Sequence, residues 1–224
     1  MMQRVRYKIA ILGGAGAQGT GLALRLATAG HEVTIGSRDA DRARAAAAQL
    51  SARTAKVIAG TDNAGAAGAA EIVFLAVPYA AQRATVADVL DRLQGKTLVD
   101  ATVPLVPPKV SVVQLPEGQS AVAAIQAFAG KTVRVVSAFQ NVSALHLGDL
   151  DHEADCDVLV CGDDQTACDV VIGLCADMGL RGLHAGPIRN SAAAEALTSV
   201  LININRRYKV PGGAGIRITG LPET

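Results

Sequence analysis

Short apolar runs alternate with longer segments of helical period from the start of the chain. Residues 8–12, 32–35, 56–59, 71–77, 97–100 and 133–139 read as strands, the first of them buried on both faces. Between them, 17–29, 40–50, 80–93 and 120–129 repeat apolar residues at helical spacing, and 63–68 reads as a short helical turn. Strands and helices in strict alternation make β-α units, which build a parallel sheet with helices on both faces. The stretch 102–116 contains Pro104, Pro107, Pro108 and Pro116. Each proline removes a backbone donor and fixes φ, so this stretch reads as an ordered loop. Past residue 140 the pattern continues on a smaller scale, with strands over 157–161 and 183–185 and a helix over 164–178. A long helix over 191–207, capped by Asn190 or Ser191, follows, then a glycine-rich turn at 212–215 and an extended piece at 216–219. The long helix is apolar on more than one face, through Ala194, Leu197, Val200, Leu201, Ile202 and Ile204. Such a helix needs cover on several sides, which predicts packing against a second copy in a twofold homodimer.

The first strand–helix junction carries a motif. Gly14-Ala15-Gly16-Ala17-Gln18-Gly19 fits G-x-G-x-x-G, and Gly30-His31-Glu32 then leads into the second strand. In such a loop the first glycine permits a tight turn, and the second removes a side chain that would block a pyrophosphate. The third lets the helix approach the sheet, while free N–H groups at the helix start face the anion. The second strand ends Ile35-Gly36-Ser37-Arg38, without the carboxylate that would accept from the ribose hydroxyls of NAD. Ser37 can donate to a 2′-phosphate, Arg38 supplies a planar charged donor set, and Arg42 lies one helical turn further on. NADP is therefore favoured over NAD. Asp39 and Asp41 suit the N-terminus of the following helix. The expected fold class is α/β, a Rossmann-type doubly wound parallel sheet with a small C-terminal α/β domain. The NADP-binding domain spans 1–140 and the smaller one 141–224.

Composition narrows the function. The net charge is +1 over 224 residues, which provides no footprint for nucleic acid or an anionic membrane. No apolar run approaches the roughly 18 residues of a membrane span, and residues 1–8 lead into a strand rather than resembling a signal peptide. Cys156, Cys161, Cys168 and Cys175 form no C-x-x-C pair. They predict buried, reduced thiols in a cytoplasmic protein, with no metal site. Aromatics are 3% of the chain, so aliphatic side chains and alanine must fill the core. The residues four beyond Tyr7, Tyr79 and Tyr208 are Ile11, Arg83 and Gly212, so the Tyr-x-x-x-Lys pair of carbonyl-protonating dehydrogenases is missing. His31, His146, His152 and His184 are not spaced as a dyad or as metal ligands. No catalytic acid or base is assigned. Hydride transfer between two ring cofactors needs none, only stacked rings, a short transfer distance and exclusion of water. Val77-Pro78-Tyr79, Val103-Pro104-Leu105 and residues 138–144 follow strands that should end on one edge of the sheet, and would wall such a site.

These features together resemble the NADPH-dependent reductases of coenzyme F420, the F420:NADP oxidoreductases, over nearly the whole chain. The matching runs include residues 9–16, 21–27, Gly30-His31-Glu32-Val33, Gly36-Ser37-Arg38 and Cys161-Gly162-Asp163-Asp164. Ala185-Gly186-Pro187 and Glu195-Ala196-Leu197-Thr198 complete the set. The resemblance implies direct hydride transfer between C4 of NADP and C5 of the deazaflavin in F420, a homodimer, and a C-terminal domain that helps close the cleft. It also implies that Gly14, Ala15, Gly16, Ala17 and Gln18 hold the phosphates, and that Ser37, Arg38 and Arg42 hold the 2′-phosphate. Val77, Val103 and Ala144 would lie beside the nicotinamide half, and Gln140 beside the deazaflavin. Ala15 and Gln140 depart from the family pattern, which often has a hydroxyl residue and a histidine there. The residues alone also admit an NADP-dependent reductase of a flavin or another acceptor, and a non-catalytic NADP-sensing module.

Overall fold

The computed structural model describes residues 5–118, 120–153 and 155–221. Among these residues eight strands form one sheet in the order β3-β2-β1-β4-β5-β6-β7-β8. They are β1 (Lys8–Leu12), β2 (Glu32–Ser37), β3 (Ile58–Asp62), β4 (Ile72–Leu75), β5 (Thr97–Asp100), β6 (Arg134–Ser137), β7 (Asp157–Gly162) and β8 (Arg181–His184). The helices are α1 (Ala17–Thr28), α2 (Ala40–Thr54), α3 (Asn63–Ala69), α4 (Tyr79–Leu93), α5 (Ala121–Ala129), α6 (Ala144–Gly148), α7 (Gln165–Asp177) and α8 (Ser191–Tyr208). The first six strands are parallel in the Rossmann order, with the crevice between β1 and β4 where the winding reverses. β7 joins β6 antiparallel, through Val136↔Gly162 and Ser137↔Cys161, and β8 returns parallel to β7. The C-terminal strands thus extend the nucleotide-binding sheet.

Successive strand residues point to opposite faces, and two apolar layers result. Ile9, Ile11, Val33, Ile35, Phe74, Val99 and Val136 face α1, α2 and α7. Ala10, Leu12, Val73, Leu75, Leu98 and Val135 face α3, α4 and α5. Alanine takes the place of larger residues at the contacts, with Ala43 and Ala47 on one layer and Ala66 and Ala67 on the other, all buried. All four cysteines are free and buried. Burial pushes the Cys161 and Cys168 thiols up to about 11, so both stay protonated and unreactive at neutral pH.

Several boundaries differ from the sequence reading. β4 ends at Leu75 and β6 at Ser137, leaving residues 76–78 and 138–142 as irregular chain beyond the sheet edge. Asn190 stands at the N-cap of α8, but neither its side chain nor that of Ser191 makes a capping bond. Asn190 adopts a helical conformation without a capping bond, and its Nδ2 donates to the Ala185 carbonyl at 2.8 Å. The Ser191 hydroxyl instead meets the Ser120 hydroxyl at 2.6 Å. The extended piece at 216–219 forms no strand, although the Ile216 carbonyl accepts from the Asp157 N–H at 2.8 Å.

One buried cation ties the C-terminal region to the first helix. Arg25 of α1 donates to five carbonyls: Leu147 and Met178 at 3.1 Å, His146 and Asp149 at 2.7 Å, and His152 at 2.9 Å. Burial lowers its pKa, partly opposed by Asp149. This clamp gives α6 its seat on α1.

Candidate functional site

After β1 the chain turns through Gly13, whose φ of +75° is closed to most side chains. The sequence reading assigned this turn to Gly14, and the structure corrects it by one residue. Gly14 serves close packing instead, since a Cβ there would lie 2.7 Å from the Ile11 carbonyl and 2.8 Å from Ile35 Cγ2. A Cβ on Gly19 would lie 2.6 Å from Gly14 Cα, so the third glycine of the motif lets α1 start directly over the loop. Gly16 is the exposed N-cap and carries no side-chain cap. The first intrahelical bond runs from the Thr20 N–H to the Gly16 carbonyl at 2.8 Å. The N–H groups of Ala17, Gln18 and Gly19 therefore have no helical partner and point, with the positive end of the helix dipole, toward the crevice.

At the end of β2, Asp39 caps α2 by accepting from the N–H groups of Asp41 and Arg42 at 3.0 and 3.2 Å. The Ser37 hydroxyl accepts from the Asp39 N–H at 3.2 Å, which leaves its own proton available to a ligand. Asp41 pairs with Arg44, while Arg38 and Arg42 are exposed and pair with no carboxylate among the described residues. Ala15, Gly16, Ser37, Arg38 and Arg42 line one cavity of about 250 Å³. Two unpaired guanidiniums, a free hydroxyl and a glycine-lined rim suit the 2′-phosphate and pyrophosphate of NADP. Asn63, which sequence reasoning passed over, lines the same cavity with its Oδ1 buried and without a hydrogen-bond partner among the described residues.

A second, more apolar cavity of about 340 Å³ adjoins the first, and Val77 and Pro78 line both. Its walls include Ala101, Val103, Leu105, Phe139, Gln140 and Val142. Thr198 of α8 also faces it, and nothing in the sequence spacing links that helix to the sheet edge. The Gln18 side chain reaches this second cavity, so only its backbone N–H is placed with the phosphate loop. Ala144 opens α6 and lines neither cavity. Gln140 is buried, its Nε2 donates to the Asp100 carbonyl at 2.7 Å, and its carbonyl accepts from the Thr198 hydroxyl at 2.8 Å. Its Oε1 has no partner among the described residues.

Among the described residues no carboxylate, imidazole, thiol or amine lines this second cavity, and Tyr79 is its one phenol. Behind the wall, the fully buried Asp100 accepts from Gln82 Nε2 at 2.7 Å and the Thr102 N–H at 2.9 Å. Burial pushes its carboxyl up to about 6, against the pull of these bonds and with a further rise from Glu195. Glu195 reaches from α8 to the start of α5 and accepts from Ser120 Oγ and the Ala121 N–H, both at 2.8 Å. Both carboxyls hold the frame and neither faces the cavity. A hollow of about 420 Å³ beside Tyr7 and Arg134 lies at the opposite edge of the sheet, away from the phosphate loop, and one of about 520 Å³ at the starts of α4 and α5 shares only Tyr79 with the apolar cavity.

The fold and this paired crevice define a Rossmann-type NADP-binding protein. Comparison with known proteins narrows the class. A family model described as NADP oxidoreductase, coenzyme F420-dependent, matches residues 8–104. The F420-dependent NADP reductase of Methanothermobacter marburgensis is 42% identical, over 96% of this chain and all of its own length. That of Methanocaldococcus jannaschii is 41% identical, over 96% of this chain and 99% of its own. A crystal structure from Arthrobacter sp. FB24, provisionally named an F420-dependent NADP-reductase, has a TM-score of 0.78 at 29% identity. It covers 92% of this chain and 96% of its own. The chain belongs to the F420-dependent NADP reductase family.

Proposed function

We propose that this protein transfers hydride between NADP(H) and the deazaflavin coenzyme F420. The observation that carries the reading is the join at Val77 and Pro78, where a cationic phosphate seat opens into an apolar pocket. On this reading the N–H groups at the start of α1 hold the pyrophosphate, and Ser37, Arg38 and Arg42 hold the 2′-phosphate. Val77 and Val103 flank the nicotinamide, and Gln140 and Thr198 border the second ring. NADPH supplies the hydride and its electron pair, and one proton from water completes the reduced deazaflavin. The chain's work is then to bind, align and exclude water, which needs no titrating group at the reacting atoms. Residues 1–140 bind NADP, and residues 141–224 cover the cleft. No helix among the described residues is long and apolar enough to cross a membrane. The free, buried thiols fit a cytoplasmic setting.

The test is an absorbance titration of purified protein. Added NADPH should bleach the deazaflavin band of F420, and NADH should do so far more slowly. Bleaching of a flavin but not of F420 would support another acceptor, and NADPH binding without turnover of either would support a sensor.

The same reading includes a homodimer through α8. Ala194 and Leu201 are buried within the chain, while Val200 is 44% exposed and Leu197, Ile202 and Ile204 are half-buried. Sedimentation at micromolar concentration should give twice the chain mass, whereas a monomer throughout would remove the dimer from the account.

A further inference from the structure

The wall of the apolar cavity contains a backbone conformation that its residue disfavours. Phe139 has a φ of +74°, in the left-handed region that a bulky L side chain rarely occupies. It is 1% exposed, and its ring packs against Phe74 with 5.9 Å between centroids. Such a conformation persists only where the surroundings hold it, and it concentrates at functional sites. The contacts that hold it come from different elements. The Phe139 carbonyl accepts from Gln18 Nε2 at 3.2 Å and from the Val142 N–H at 3.3 Å. On either side, the Ala138 N–H and Gln140 Nε2 both donate to the Asp100 carbonyl, at 3.3 and 2.7 Å.

Gln18 differs from the other holders in where it starts. It sits in the first turn of α1, where its backbone N–H faces the phosphate seat while its side chain crosses to the cavity wall. We propose that Gln18 is a positioning residue for hydride transfer, its amide fixing the Phe139 carbonyl so that residues 139–142 hold the second ring at transfer distance from the nicotinamide. This rests on the reading above. Gln18 touches neither reacting atom and acts through Phe139. One short side chain thereby links the element that seats the pyrophosphate to the wall that sets the ring stack.

The experiment compares Gln18→Leu and Gln18→Glu with wild type, in single turnovers at saturating NADPH and F420 from pH 5 to pH 8. Leucine keeps the bulk and loses the donor. Its transfer rate should fall about tenfold, within the range that sub-ångström to ångström misplacement produces. NADPH affinity, read by nucleotide fluorescence, should stay within about twofold, because the phosphate loop keeps its backbone donors. The glutamate variant donates to the Phe139 carbonyl only when protonated and repels it when ionised. Asp100, whose carboxyl burial pushes up to about 6, stands behind the same wall in all three proteins, so each rate is divided by the wild-type rate at the same pH. That ratio should climb toward one as pH falls for Gln18→Glu and stay flat for Gln18→Leu. A purely structural role would lower the melting temperature without this profile. Wild-type rates in Gln18→Leu, or a wild-type pH profile in Gln18→Glu, would overturn the inference. Failure of wild type itself to reduce F420 would instead overturn the functional reading, so the two failures are distinguishable.

Discussion

Arg25→Leu should be the most damaging single change outside the cleft, costing roughly 3–5 kcal/mol of folding stability. Arg25 is 8% exposed, and its guanidinium serves five carbonyls from α6, the chain just after it, and the end of α7. Leucine fills part of the space but returns no donor, so several buried carbonyls lose their partner at once. For a chain of this size the loss corresponds to a drop in melting temperature on the order of 10 °C. Arg25→Lys should recover only a minority of it, because one ammonium cannot span the fork. Thermal unfolding followed by circular dichroism checks both variants. A loss below about 1 kcal/mol for the leucine variant would mean that water replaces the guanidinium and that the clamp is dispensable.

Arg38→Ala is expected to weaken NADPH binding ten- to a hundredfold, the equivalent of roughly 1.5–3 kcal/mol for a lost charge-assisted contact. NADH binding should change little, since only NADPH carries the 2′-phosphate. The structure strengthens this expectation in two ways. Arg38 has no carboxylate partner among the described residues to give up, and Asp39, the nearest acid in sequence, is occupied as the cap of α2. Fluorescence titration of both nucleotides against both proteins decides the matter. Equal losses for NADPH and NADH would place the phosphate seat elsewhere.

What sequence could show, and what it could not, follows from how local each feature is. The strands of the nucleotide-binding half were legible because each is a short apolar run next to a helix of clear period. That Ser37 and Arg38 stand together at the end of β2 was legible because they close such an apolar run. The direction of β7 was not, since Val158-Leu159-Val160-Cys161 has the same pattern whether it pairs parallel or antiparallel. Arg25 reads from spacing as an ordinary polar position on a helix. Its burial depends on carbonyls more than 120 residues away in sequence. The short helix α6 owes its place to that same clamp and has one buried residue, Leu147, so it leaves no periodic trace. Thr198 and Asn63 reach the crevice from elements whose placement only the assembled sheet defines. Gln18 was legible as a member of the glycine motif at the start of α1, yet the course of its side chain toward Phe139 is a tertiary fact.

The most direct test of the account follows the hydrogen itself. Oxidised F420 is mixed with the protein and NADPH carrying deuterium at both C4 positions, in ordinary water, and the reduced deazaflavin is recovered for mass and NMR analysis. Direct transfer between stacked rings, in a pocket whose described lining holds no carboxylate, imidazole, thiol or amine, predicts one deuterium at C5 of the product and none lost to solvent. Reduced deazaflavin carrying only protium at C5, or no reduction at all, would contradict it.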